Sequence, residues 1–430
     1  MTSTQAEIHP KTVRAVTRVV AAAKAVAPVL AGTSAKVRDA ALEAIAVNLE
    51  EHTEDLLAAN AEDLVMARGK EIPQSSLDRL ALDEQRIANI VDSVRTVAAL
   101  PDPVGELVEG RTLTNGIQLY QERVPLGLVA AIYEARPNVT VDIAALALKS
   151  GNTAVLRGGN LAKSSNSLLL ELMRQAIVAV GLPKEALSSV DEWGRDGARV
   201  LMTARDYVDL LIPRGGAELI STVVRESIVP VIETGVGNVH IFVDQSAPVR
   251  MATNIVVNSK TQRPGVCNSV ETLLVHEKAA KRVLPKLLGA LSERGVVVHA
   301  GPDVAELAPD GVAIRRVARR DWAKEYLGLE IAVKIVAGLD EAIEHIRSYS
   351  SGHTEVIVTN DMANADAFVS AVDAAAVGVN VSTRFTDGEE FGLGAELGIS
   401  TQKLHARGPM GLRALTTVKW VMRGSGQVRE

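Results

Sequence analysis

The sequence predicts an α/β protein built on two doubly wound parallel sheets, and three observations carry that expectation. Beyond residue 125, short apolar runs alternate with segments of helical length, which is how parallel strands and their crossover helices read. The second half of the chain repeats the alternation. A chain of 430 residues is also too long for one simple core, so two or three domains are expected.

The elements follow in order. Stretches 11–32, 34–69 and 75–100 place apolar residues at i, i+3, i+4 and i+7 and predict helices. Ser34 and Ser75 or Ser76 are candidate N-caps, and Gly32 and Gly69 candidate stops. PDPVGE then breaks the pattern, and TLTNGIQLYQERVPLG, turning at Asn115-Gly116, predicts a hairpin. Strands are expected at LGLVAAIYEA, TAVLRGG and YVDLLIPRGG, with helices at 138–151, 164–181 and 217–228. In the second half HIFVD, ETLLVH, LEIAVKIV, TEVIVT and AVGVNVS read as strands, and 278–295 as a helix. The tail TTVKWVMRGSG reads as a last strand without a sequential neighbour. It is expected to pair with the hairpin near 110–125 or with another subunit.

Composition narrows the function. Lys plus Arg number 46 against 52 for Asp plus Glu, a formal charge of −6, which argues against nucleic acid or an anionic membrane as partner. One cysteine excludes an intramolecular disulfide framework. The first residues lack the pattern of a signal peptide, and no run of about 18 apolar residues occurs, so a cytoplasmic protein is expected. The eight histidines show no metal-ligand spacing, so no metal site is expected; His345 reads as structural.

Two turns suit phosphate. Arg157-Gly158-Gly159 and Arg214-Gly215-Gly216 each follow a strand and open a helix. Paired glycines there let a ligand reach backbone N–H groups at a positive helix end, with a guanidinium alongside. Ordinary strand-to-helix turns are the alternative; two on one sheet favour a dinucleotide. No G-x-G-x-x-G is present. Cys267 lies on a Pro-Gly turn after Lys260 and Arg263, surroundings that lower a thiol pKa and suit a nucleophile. A small buried hydrophobe is the alternative. Glu233, at a strand end, is a candidate base.

Three stretches go further: 124–159 (VPLGLVAAIYEARPNVTVDIAALALKSGNTAVLRGG), 262–275 (QRPGVCNSVETLLV) and 336–359 (VAGLDEAIEHIRSYSSGHTEVIVT). They closely resemble the γ-glutamyl phosphate reductases, a branch of the aldehyde dehydrogenase superfamily, and the likeness runs from the AANAEDL helix to the tail. The resemblance implies an aldehyde-dehydrogenase-like fold. A cofactor domain would comprise residues 1–108 and 126–236, a catalytic domain 237–412, and an oligomerisation arm 109–125 and 413–430, hence a homo-oligomer. It implies reduction of γ-glutamyl phosphate by NADPH to glutamate γ-semialdehyde with release of phosphate, the second step of proline synthesis from glutamate. A glutamate 5-kinase is then a candidate partner.

Carried over by residue, Cys267 is the nucleophile that forms a thioester. The oxyanion donors would be the Cys267 backbone N–H and the Asn138 amide, although ARPN departs from the superfamily pattern and its register also admits Arg136. Glu233 matches the superfamily's water-activating base, for which a phosphate-releasing reductase has no evident use. Glu330 resembles the glutamate that steadies the nicotinamide ribose. Arg157 and Lys163, in a turn without an acidic residue, favour NADPH over NADH. Arg136, Arg263 and Arg384, with His353, are expected to meet the substrate's charges.

Overall fold

The computed structural model describes residues 8–429 apart from 71 and 73, and every element and contact belongs to those described residues. The chain divides into two units. The first holds the chain up to Glu233 together with 393–398 and the segment from Met410 onward; the second holds 234–392 and 399–409.

The first unit begins with helices α1 (Pro10–Ala31), α2 (Ala35–Glu51), α3 (Thr53–Arg68), α4 (Gln74–Leu80) and α5 (Glu84–Ala99). Gly32 and Gly69 end α1 and α3, and Ser34 stands at the N-cap of α2. The run 34–69, read as one helix, breaks at His52 (φ −107°). The run 75–100 also breaks, because the Asp83 carboxylate takes the Arg86 N–H at 2.7 Å and caps a new helix. Ser75 and Ser76 fall inside α4, past its N-cap position.

The hairpin is formed by β1 (Leu107–Thr112) and β2 (Gln118–Pro125), with Gly116 at φ +85°, a conformation glycine adopts at no steric cost. The tail supplies β16 (Thr416–Arg423), antiparallel to β2 from Thr416 opposite Pro125 to Arg423 opposite Gln118. Its partner is the hairpin of its own chain, in the order β1-β2-β16.

A parallel sheet of order β5-β4-β3-β6 completes this unit: β3 (Leu128–Tyr133), β4 (Thr153–Arg157), β5 (Leu187–Ser189) and β6 (Leu210–Arg214). Helices α6 (Pro137–Lys149), α7 (Lys163–Ala179), α8 (Gly194–Thr203) and α9 (Ala217–Glu226) follow these strands. Leu128, Ala130 and Ile132 face Val16 and Val20 of α1 and Val200 and Leu201 of α8.

In the second unit seven parallel strands run in the order β10-β9-β11-β8-β7-β12-β13. They are β7 (Val239–Val243), β8 (Val270–His276), β9 (Val297–Ala300), β10 (Ile314–Arg316), β11 (Glu330–Val336), β12 (Thr354–Val358) and β13 (Ala376–Val379). Helices α10 (Val249–Thr261), α11 (Glu277–Ser292), α12 (Pro302–Ala305), α13 (Leu339–Tyr349) and α14 (Met362–Ala371) lie between them; β14 (Ile399–Ser400) pairs with β15 (Gly408–Pro409). Alternate residues go to opposite faces. Ile241, Val243, Leu273 and Val275 pack with Val283 and Leu287 of α11, while Phe242, Leu274 and Ile357 pack with Ile346 and Phe368. Burial on both faces makes these strands continuous apolar runs. Among the described residues no helix is long and apolar enough to cross a membrane.

Candidate active site

In the second unit Gly237, Cys267, Glu330 and His353 lie at the amino ends of β7, β8, β11 and β12. Loop 262–269 joins α10 to β8 and carries Cys267, half-buried on a turn. Gly237, just before β7, lies flat against it: a Cβ there would stand 1.6 Å from the Cys267 carbonyl oxygen. The Thr383 hydroxyl donates to the Asn268 carbonyl at 2.6 Å, and the Asn268 amide donates to the Thr386 carbonyl at 2.8 Å. Arg384 closes the arrangement, its Nη1 on Asn268 Oδ1 and its Nε donating to Gln262 Oε1 at 2.6 Å. Burial, and secondarily Arg263, lower the Arg384 pKa, while Asp387 and Cys267 act in the opposite direction. Arg263 is exposed on the loop, and both it and Cys267 act electrostatically on Arg384.

Beneath the loop, Lys260 and Glu271 form an ion pair at 2.7 Å with both side chains wholly buried. Burial lowers Lys260 and raises Glu271, and each partner offsets part of the other's shift. The second Glu271 oxygen accepts the Leu327 N–H at 3.3 Å. Glu325 accepts the Gly237 N–H at 2.9 Å. The Glu271–Leu327 and Glu325–Gly237 contacts were not legible in sequence because they join residues 56 and 88 positions apart.

Glu330 lies at the start of β11, its carboxylate held by His299 Nε2 at 2.7 Å and Arg315 Nη1 at 3.3 Å. The acidic side chain of this stretch that reaches the thiol's backbone neighbour is Glu325. His353, expected among the substrate ligands, immediately precedes β12. It is fully buried with Nδ1 2.8 Å from Thr354 Oγ1, and burial alone lowers its pKa to about 4. Nearby, Glu355 accepts from the His240 N–H at 2.9 Å and from the Ser350 hydroxyl. His345 is structural: burial lowers it to about 3, and it packs against Trp322 and Tyr349.

In the first unit the remaining residues lie around the carboxyl ends of the parallel strands. Arg157 ends β4, with Nε donating to the Gly194 carbonyl at 3.1 Å and Nη2 to Asn160 Oδ1 at 3.3 Å. The Gly158 N–H donates to Asp191 Oδ1 at 2.7 Å, a carboxylate raised by burial that sequence separation had concealed. A Cβ at Gly158 would stand 2.1 Å from Asn166 Nδ2, and one at Gly159 2.6 Å from the Ala135 nitrogen. Backbone therefore holds position 159 to glycine, while a side chain at 158 would have to displace the Asn166 amide. A Cβ at Gly215 would meet the Glu134 side chain at 2.8 Å, and the Gly216 N–H donates to Glu134 Oε1 at 2.8 Å. Lys163 opens α7 with its side chain exposed, and Arg214 ends β6 half-buried.

Arg136 precedes α6, 3.8 Å from Glu134. Asn138, exposed on the first turn, donates to Asp142 Oδ2 at 3.1 Å. Burial raises that Asp142 to about 6 against the opposing pull of Arg214. Glu233 is half-buried at the end of the unit's long segment.

The chain as a whole has known counterparts. The sequence model described as the aldehyde dehydrogenase family matches residues 2–305. The γ-glutamyl phosphate reductase of Kineococcus radiotolerans is 57% identical over 393 residues, 91% of either chain. That of Clavibacter michiganensis subsp. michiganensis is 55% identical over 96% of this chain and 95% of its own. The crystal structure of γ-glutamyl phosphate reductase from Thermotoga maritima superposes with a TM-score of 0.93 at 45% identity, covering 96% of this chain and all (100%) of the other. The chain belongs to the aldehyde dehydrogenase family of oxidoreductases, in its γ-glutamyl phosphate reductase branch.

Enzymes of this family use a nicotinamide cofactor, and the first unit fits one. Its strand order turns back between β3 and β6, which opens a crevice at their carboxyl ends. Exposed Lys163 and the half-buried Arg214 supply cations at helix starts that suit phosphate. Because Gly158 and Gly216 already donate to carboxylates, phosphate contacts would fall to these cations and the other first-turn N–H groups.

Proposed function

We propose that the enzyme reduces L-γ-glutamyl 5-phosphate to L-glutamate 5-semialdehyde with NADPH, releasing phosphate, through a thioester on Cys267, in proline synthesis from glutamate. The observation that carries the reading is Cys267 on a loop pinned by Arg384, in a chain more than half identical to a γ-glutamyl phosphate reductase over most of its length. The Cys267 thiolate attacks the γ-carbonyl carbon, the bond from that carbon to the phosphate oxygen breaks, and phosphate leaves. Arg384 and Arg263 meet its charge, with Arg136 a third candidate for the substrate's anionic groups. NADPH, when bound, supplies the hydride that reduces the thioester. The Cys267 N–H, and Asn138 or Arg136, stabilise the oxyanion in both halves of the reaction. Protonation and cleavage of the C–S bond release the aldehyde and regenerate the thiol.

In this reading the first unit binds the cofactor through Lys163, Arg157 and Arg214, and the second performs the chemistry. Asp191, turned inward on Gly158, leaves the cations to meet a ribose 2′-phosphate. The exposed Leu107, Val108, Trp420 and Met422 on the three-stranded sheet support its use in homo-oligomerisation. We place the enzyme in the cytoplasm, where a glutamate 5-kinase would supply the short-lived acyl phosphate.

The test is an assay coupling glutamate, ATP and a glutamate kinase to NADPH oxidation. Activity is expected with wild type and is lost in Cys267→Ser, which should stay folded. Run in reverse, NADP⁺ reduction by the semialdehyde should rise saturably with inorganic phosphate. Equal rates with and without phosphate would mean that water resolves the thioester, with Glu233 the base to test, and would refute the phosphate-releasing reaction.

A further inference from the structure

The Lys260–Glu271 pair takes no part in the chemistry just described. Its members bracket loop 262–269, Lys260 at the end of α10 and Glu271 at the second position of β8. Both side chains are wholly buried, 2.7 Å apart. Such a pair adds little stability over apolar side chains of similar volume, so a positional reason for it is needed, and the contacts supply one. Glu271 Oε1 takes the Leu327 N–H, and Leu327 stands at φ +53°, a conformation that a branched residue keeps only when its surroundings hold it. Two residues earlier, Glu325 takes the Gly237 N–H. Gly237 in turn lies against the Cys267 backbone too closely for any side chain. The contacts form a closed circuit: thiol loop, Glu271, Leu327, Glu325, Gly237, and the thiol loop again.

We propose that the buried Lys260–Glu271 pair is a positioning device for the thiol, holding the Cys267 loop in register with the Glu325–Leu327 segment. Lys260 orients the Glu271 carboxylate and offsets part of the burial that disfavours its charged form. Glu271 fixes Leu327, and the turn so held sets the Glu325 carboxylate and the Gly237 backbone against Cys267. Neither member touches substrate; both act through the geometry of the loop.

The proposal rests on Cys267 being the reactive group, so its test reads the thiol directly, by iodoacetamide alkylation across pH, with Cys267→Ser as the zero signal. The double variant Lys260→Met with Glu271→Leu replaces the pair by apolar side chains of similar size. It should melt as a folded protein, while Cys267 alkylation at neutral pH slows about 10- to 100-fold and its pH midpoint moves upward. Glu271→Gln should move both in the same direction. A folded double variant with the wild-type alkylation rate and pH profile overturns the proposal. So does a double variant that fails to fold, since a pair whose task is position is replaceable by apolar packing. Full turnover in Cys267→Ser would instead refute the proposed reaction, and the alkylation comparison would still report whether the pair places the thiol.

Discussion

At residue 237 a methyl group would collide with the Cys267 carbonyl oxygen at 1.6 Å, so Gly237→Ala has to displace the thiol's own backbone. That variant should remain folded and lose about 100-fold in kcat/KM in the coupled assay; near wild-type turnover would show that the loop has slack. Arg384→Gln removes a forked cation from Asn268 and Gln262. It should lower kcat/KM for the acyl phosphate about 10- to 100-fold and leave NADPH binding, read by fluorescence titration, unchanged. An equal loss of NADPH affinity would move Arg384 to a different task. Cys267 and the basic residues Lys260 and Arg263 could be singled out in sequence because they stand within a few positions of one another. Glu325, Glu271 and Asp191 were not, since each meets its partner 88, 56 or 33 residues away. The glycines at 158, 159 and 215 were legible as close approaches, and the structure packs Asn166, the Ala135 backbone and Glu134 against them.

Among elements, apolar runs declared most strands of both parallel sheets, though not the three-residue β5, and Asn115-Gly116 declared the hairpin. Breaks at His52 and Asp83 were hidden because the 3.6-residue period continues across them. Short β9 and β10, with four and three residues, carry too little pattern to be read alone. The tail strand was legible as unpaired, and its ladder with β2 covers all eight residues. A chain ending at Leu415 should therefore leave β2 with an open edge and associate non-specifically. Size-exclusion chromatography should show aggregates in place of the wild-type peak; an unchanged profile and melting temperature would mean that β16 closes nothing of consequence.

For the molecule as a whole, acid is the expected weakness. His345 and His353 are held neutral by burial, at about 3 and about 4, below the usual value of about 6.5. The unfolded chain binds these protons first, so their contribution is complete above about pH 6.5 and is lost as pH falls towards 4 and then 3. The wholly buried His353 alone should account for on the order of 2–3 kcal/mol. Thermal melts from pH 7 to 4 should fall steeply, and His353→Gln should flatten the slope; parallel profiles would remove histidine protonation as the cause. The ladder that joins Pro125 to Thr416 bears also on how the protein is made. A ribosome adding about 5–20 residues per second needs roughly 15–60 s to pass from β2 to β16. During that interval the nascent chain presents a finished hairpin edge with no mate, beside other copies growing on the same message. Translation speed over the intervening codons, or a chaperone resting on that edge, therefore belongs among the determinants of how much active enzyme a cell obtains.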